Sequence, residues 1–171
     1  MRSIRPLPPL ELLNDLFELD AERGLLFRKR RSGSRGNPGS SVGFPGTGGY
    51  LLVGIGPHKY RVHRIVFYMH YGYDPVIGLD HENCNRTDNR PTNLRVATST
   101  QNAGNMPPPV NNKSGYKGVS WQQKAGKWQA HIKVAKRTTY LGLYDTPEDA
   151  ARAYASAAHS HFGEFAQVAD V

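Results

Sequence analysis

The feature that most constrains this chain is the run MPPPVNNKSG, residues 106–115. Three consecutive prolines fix their own φ angles and offer no backbone N–H, so neither a helix interior nor a central strand passes through them. The Asn-Asn-Lys-Ser-Gly that follows is turn chemistry. Proline-rich segments are stiff, extended spacers. The run therefore predicts a linker over 106–112, with one domain at 1–105 and a second at 113–171. Two small domains fit a chain of 171 residues. Its 18 glycines and 12 prolines predict many turns and short strands.

The second domain has the cleaner pattern. KWQAHIKV alternates strictly: Trp128, Ala130, Ile132 and Val134 share one face, while Lys127, Gln129, His131 and Lys133 share the other. YKGVSWQ and TTYLGLY read as its partner strands. Thr146-Pro147-Glu148-Asp149 is a helix start, with Thr as N-cap, Pro at the first position and two acids in the first turn. The helix then runs to Gly163, and its many alanines let its axis approach a sheet closely. In the first domain Leu10, Leu13, Leu16 and Phe17 fall at helical spacing after Pro8-Pro9, with Gly24 as the stop and LLFRKR as a strand. Residues 32–49 read as a loop, YLLVGIG and KYRV as a hairpin, and HRIVFYMHYG as an amphipathic helix closed by Gly72.

Charge points to the partner. The net charge is +8 and the isoelectric point about 9.7. The stretches 23–73 and 111–144 carry Lys and Arg without a single acid. Acids gather instead in the helix-like segments 11–22 and 145–164. This segregation predicts two phosphate-facing surfaces rather than generally solvated charge. No apolar run approaches the ~20 residues of a membrane helix, and the N-terminus has no apolar signal core. One cysteine, Cys84, excludes an internal disulfide framework and the multi-cysteine zinc sites. A cytoplasmic location is expected, and Cys84 is read as inert.

Chemistry concentrates in VIGLDHENCNRTDNRPTNLRVATSTQNAGN. Asp80-His81 ends the short apolar stretch Val76-Ile77-Gly78-Leu79, Asn93-Leu94 follows a polar loop, and Asn102 stands just inside a short helix that Ser99 or Thr100 starts. Strand, loop, strand and helix can bring a strand-end acid, its neighbouring His and a helix Asn together. A carboxylate and an amide oxygen suit one hard divalent cation. Such a cation stabilises charge on a scissile phosphate, and a neighbouring histidine takes a proton from water near neutral pH. Taken singly, each of these residues is equally a loop or turn hydrogen-bonder.

The stretch LDHENCNRTDNRPTNLRVATSTQN resembles the HNH endonucleases of the ββα-metal fold, above all the phage and intron homing branch. YRVHRIV and LFELDAERGLLFRKR extend the resemblance over most of residues 10–105. It implies that His81 is the general base, that Asp80 and Asn102 hold the metal, and that Asn93 ties the loop so that the base is correctly oriented. Asn102, where many members have His, favours Mg²⁺ or Mn²⁺, and no zinc is expected. His63 is read as structural or phosphate-contacting. Arg86, Arg90 and Arg95 are either phosphate contacts or solvated loop charges.

Residues 113–163 resemble the plant ethylene-response-factor (Apetala-two type) DNA-binding domain, through SGYKGVSW, GKWQAHIKV, YLGLYDTPEDAARAYASAA and FG. That family is a three-stranded antiparallel sheet on one helix, with the sheet in the major groove. The resemblance implies DNA-facing positions at Lys117, Ser120, Gln122, Lys124, His131, Lys133, Thr138 and Tyr140. Several of these are Arg or Trp in the plant proteins, and Lys cannot pair bidentately with guanine as Arg does, so the plant target is not carried over. Trp121, Trp128, Tyr144 and Tyr154 are read as core or rim.

The expected fold class is α+β: an N-terminal ββα-metal nuclease domain, then a small three-stranded antiparallel sheet packed on one helix. The implied activity is metal-dependent hydrolysis of DNA phosphodiesters, on double-stranded DNA, with no membrane association and no obligatory protein partner, in a phage or other mobile element. The rival is a non-enzymatic DNA-binding regulator on a degenerate nuclease scaffold. The joint presence of Asp80, His81, Asn93 and Asn102 speaks against it. An RNA-directed enzyme is disfavoured, because A-form RNA hides its major groove.

Overall fold

The computed structural model describes residues 5–33, 36–75 and 77–169. Val76 of the apolar stretch and the first four residues of the N-terminus lie outside them. The described residues form two compact units that divide between Ala97 and Thr98. Pro107-Pro108-Pro109 thus falls inside the second unit.

In the first unit, helix α1 spans Leu10–Leu16, with Leu13 fully buried. The helical spacing continues to Phe17, but the helix does not. Phe17 is already extended and opens strand β1, Phe17–Asp20, which pairs antiparallel with β2, Leu25–Arg28. The reason is tertiary: Phe17 and Leu26 bury their side chains in the same core from two adjacent strands. Gly24 closes the turn at φ +67°, and a Cβ there would lie 2.2 Å from the backbone N of Arg90. Only glycine fits that approach. Strands β3 (Phe44–Pro45), β4 (Leu51–Ile55) and β5 (His58–Arg61) make a second antiparallel sheet in the order β3-β4-β5. The β4–β5 hairpin is the one the sequence predicts.

Helix α2, Val62–Tyr71, follows β5 directly and ends at Gly72 in the left-handed conformation. Its Val62, Ile65, Val66 and Phe67 face the core beside Leu13, Phe17, Leu26 and Val53. Each such aliphatic or aromatic burial contributes roughly 1.5–3 kcal/mol. The apolar stripe of α2 also carries His63 inward. Strands β6 (Leu79–His81) and β7 (Leu94–Val96) then pair antiparallel, placing Asp80 opposite Arg95 and His81 opposite Leu94.

The second unit opens with helix α3, Ser99–Asn105. Thr98, not Ser99 or Thr100, is its cap: a capping box joins Thr98 and Gln101 reciprocally. Strands β8 (Val119–Gln122), β9 (Lys127–Val134) and β10 (Arg137–Tyr144) form an antiparallel sheet in the order β10-β9-β8. Helix α4, Pro147–Phe162, packs on it, capped by Thr146, whose side-chain oxygen accepts from Asp149 N, and closed by Gly163. Ala150, Ala151 and Ala158 are buried, as the Ala-rich face requires, and Val119 and Ala130 meet Ala150 and Ala151 from the sheet. Gly118, at φ +74°, lies where a Cβ would be 2.2 Å from the Tyr154 ring. The expected α+β class is the one observed.

Candidate active site and nucleic-acid interface

Strand β6 delivers Asp80 and His81 on consecutive residues. Alternation would send one of them to solvent, yet both are buried, at 4% and 3% exposure. Arg95, directly across the ladder, donates from Nε to Asp80 Oδ2 at 3.2 Å. His81 Nε2 lies 3.1 Å from Asn89 Oδ1. An amide oxygen only accepts, so this contact puts the ring proton on Nε2 and makes Nδ1 the basic nitrogen of the neutral ring. Burial lowers the His81 pKa below its ordinary 6.5; Arg86 adds to the fall, while the Asn89 hydrogen bond and the Asp80 and Asp88 charges oppose it. The ring is therefore neutral near pH 7, the form in which an imidazole takes up a proton.

The loop between β6 and β7 is held by its own side chains. Asn93 Oδ1 accepts from Asn83 N at 3.0 Å, and Asn93 Nδ2 donates to Asp88 O at 2.7 Å. The backbone closes the same turn: Glu82 N donates to Asn93 O, and Cys84 N donates to His81 O. Arg90 grips Asp88 through Nε at 2.8 Å and a terminal nitrogen at 2.6 Å. That fork, with the Asn83 amide, pulls the Asp88 pKa to about 2. Asn89, between these anchors and only 2% exposed, is thereby fixed against His81. Nothing in the sequence marks Asn89. A polar residue inside a polar loop carries no sequence signal of burial.

A second histidine lies against the first. The His63 and His81 rings are 5.0 Å apart, edge to face, and Tyr50 packs against both at 5.2 and 5.9 Å. His63 is 2% exposed, and among the described residues its Nδ1 has no hydrogen-bond partner. Burial, then the charges of His81, Arg61 and Arg64, hold its pKa well below 6.5. Arg64 is committed elsewhere, to both oxygens of Asp74 at 2.6 Å.

Asp80, His81 and Asn93 are thus brought together in the first unit. Asn102 stands on α3 in the second, with its backbone N–H bonded to Thr98 O. Among the described residues no group of three or more His, Cys, Asp or Glu side chains converges as a metal site. Oxygen donors such as the Asp80 carboxylate suit a hard cation that keeps much of its water, not a nitrogen- or thiolate-preferring one.

The sheet of the second unit separates its faces by register. Thr138 pairs with Lys133 and Tyr140 with His131, while Ser120 pairs with Gln129 and Gln122 with Lys127. These side chains therefore share the face opposite Ala130 and Ile132. Lys133, Thr138 and Tyr140 are exposed. Lys124 sits in the β8–β9 turn. Lys117 is engaged: its ammonium donates to Ala103 O at 3.1 Å and Gly104 O at 2.6 Å. Trp128 packs against the sheet–helix core, and its cross-strand partner Trp121 stands at the rim, half exposed. Tyr154 is buried, which pushes its pKa up to about 12.

Two sequence families coincide with these two geometries. Residues 60–103 match the HNH endonuclease family and residues 114–164 match the AP2 domain. The chain belongs to the HNH endonuclease family and carries an AP2 domain behind the nuclease segment. Among its relatives, protein 3.8 of Escherichia phage T7 is 30% identical over 89 residues, 52% of this chain and 73% of that protein. APETALA2-like protein 2 of Oryza sativa subsp. indica is 42% identical over 50 residues, 29% of this chain. The chain spans only 12% of that plant protein. The solved structure of the HNH homing endonuclease I-HmuI, described as binding and cleaving DNA, aligns with 85% of this chain and 80% of its own, at 19% identity and a TM-score of 0.43. No helix among the described residues is long and apolar enough to cross a membrane.

Proposed function

We propose that this protein is a metal-dependent DNA endonuclease of the homing type, which hydrolyses phosphodiester bonds in double-stranded DNA and holds its target through the C-terminal sheet. The observation that carries the reading is the buried Asp80-His81 pair on β6. Its imidazole is kept neutral, its ring proton is fixed by Asn89, and its loop is tied by Asn93. His81 Nδ1 takes the proton of the attacking water, and Asn93 keeps the loop, and with it the ring, in register. Asp80 and Asn102 hold one Mg²⁺ or Mn²⁺, which when bound supplies positive charge to the scissile phosphate and the leaving oxygen. Arg95 orients the Asp80 carboxylate.

The face bearing Ser120, Gln122, His131, Lys133, Thr138 and Tyr140 lies in the major groove, with Lys124 at its edge. Lys117 serves as a brace behind that face. The nuclease part extends over 1–105 and the reader over 113–171, with 106–112 between them. The setting is the cytoplasm of a phage-infected cell, which the phage relative supports.

The test is incubation of the purified chain with supercoiled plasmid, with Mg²⁺ or with EDTA. Nicking or linearisation is expected only with the metal. His81→Ala should lower cleavage at least ~100-fold, the usual cost of losing a general base, while duplex affinity stays nearly unchanged. Equal cleavage by the variant overturns the assignment.

A further inference from the structure

Five arginines stand on the segments that carry His63, Asp80 and His81 or on the loop and strand that follow them, and the structure sorts them into two kinds. Arg64, Arg90 and Arg95 are each neutralised by a carboxylate, from Asp74, Asp88 and Asp80 respectively. Arg61 and Arg86 have no carboxylate partner among the described residues. Both are instead mounted on one aromatic ring: the Arg61 guanidinium carbon lies 4.2 Å and that of Arg86 5.1 Å from the centre of Tyr50. Arg86 is further held by one terminal nitrogen donating to Gly48 O at 2.7 Å, which leaves its other donors unspent. Tyr50 in turn packs against both His63 and His81.

Two like charges brought to one ring repel each other unless an anion joins them. A cation–π contact returns only about 0.5–1 kcal/mol at an exposed site. Arg61 is exposed and Arg86 half buried, so both forks are open to a ligand. The placement is far in sequence and close in space: Arg61 ends β5, Arg86 lies in the β6–β7 loop, and Tyr50 precedes β4.

We propose that Arg61 and Arg86, carried on Tyr50 beside the His81–His63 ring pair, form a clamp for one backbone phosphate of the bound strand. A guanidinium fork matches two phosphate oxygens at once. Two forks on one rigid ring set the position of the phosphate relative to His81. The clamp holds substrate and does not do chemistry. It rests on the nuclease reading for the identity of its anion, and it also explains why these two cations, alone of the five, are left without an acid.

The test uses the full chain and a duplex oligonucleotide, with EDTA for binding and Mg²⁺ for cleavage. Arg61→Gln and Arg86→Gln each remove one charge but keep an amide donor. Each should reduce the slope of log K against log salt, and the double variant should reduce it by about 0.9, the value for one phosphate contact. Each should raise KM about tenfold, the loss of a charge-assisted hydrogen bond, with kcat nearly kept. Arg61→Lys and Arg86→Lys should retain the slope. Arg30→Gln, which removes a cation already paired with Asp15, should leave it unchanged. An unchanged slope in both Gln variants overturns the clamp, as does a loss in only one of them, or a fall in kcat with slope and KM intact. If the wild type never cuts yet both Gln variants lose slope, the clamp stands and the nuclease reading fails.

Discussion

His63 is buried with a nitrogen unpartnered among the described residues, its pKa held far below that of a free imidazole first by burial and then by His81, Arg61 and Arg64. Tyr50 packs against it as well. The folded chain refuses a proton that the unfolded chain accepts near 6.5. Stability is therefore complete above 6.5 and declines as pH falls through it, by up to about 1.4 kcal/mol per pH unit for one such group. Urea unfolding between about pH 7.5 and about pH 5.5 should show this loss. His63→Gln, which cannot titrate, should flatten the slope in that window. An identical pH slope in the variant would show that His63 takes up its proton equally in the folded and unfolded chain. Asp88 runs the same way, because its pKa is also lowered: held at about 2 by Arg90, it contributes stability above the ordinary carboxylate range and loses it only in strong acid.

Among the elements, β9 carries the clearest division of labour. Ile132 is 1% exposed and Lys133 is exposed on the opposite face. Neighbours in sequence must therefore fail differently. Ile132→Ala should lower unfolding free energy by roughly 2–5 kcal/mol, read by thermal or urea melting. Lys133→Ala should leave melting unchanged and weaken duplex binding, with a shallower salt dependence. Intact binding at low salt by Lys133→Ala would remove this face from the interface. Helix α3 is the contrasting case. It has only seven residues, too few to be stable alone, and depends on packing. Its Gly104 lies where a Cβ would be 2.6 Å from the Phe162 ring, and Lys117 and the Gln167 N–H both bond its last carbonyls.

At the scale of the whole molecule, this packing bears on where the chain can be cut. Residues 98–171 contain α3 with its partners, whereas 113–171 leave Lys117, Phe162 and Gln167 without theirs. The longer fragment should melt higher, by several degrees, the shift of roughly 1 kcal/mol in a domain of this size. Equal melting temperatures would mean that α3 adds nothing to the second unit. Both fragments should bind duplex and neither should cut it, because Asp80 and His81 lie in the first unit.

The sequence by itself determined what depends on local pattern. The alternation of 127–134, the Thr146 cap and Gly163 stop of α4, the β4–β5 hairpin and the strand–loop–strand around Asp80, His81 and Asn93 were all legible, because period and capping are properties of neighbouring residues. The tertiary structure decided what depends on partners far along the chain. Phe17 continues a helical spacing, yet extends because it pairs with Arg28 across the ladder and shares the core with Leu26. Asn89 reads as one more polar loop residue, yet is buried on His81. Arg86, Arg90 and Arg95 look alike in the sequence; only folding shows that Asp88 and Asp80 silence two of them while Arg86 meets Arg61 on Tyr50. Tri-proline marks a stiff segment but not a limit of packing, because whether α3 joins α4 is settled by Phe162 and Lys117, residues beyond the prolines. Contacts such as these close loops of tens of residues, and no periodicity in the chain encodes which loop will close.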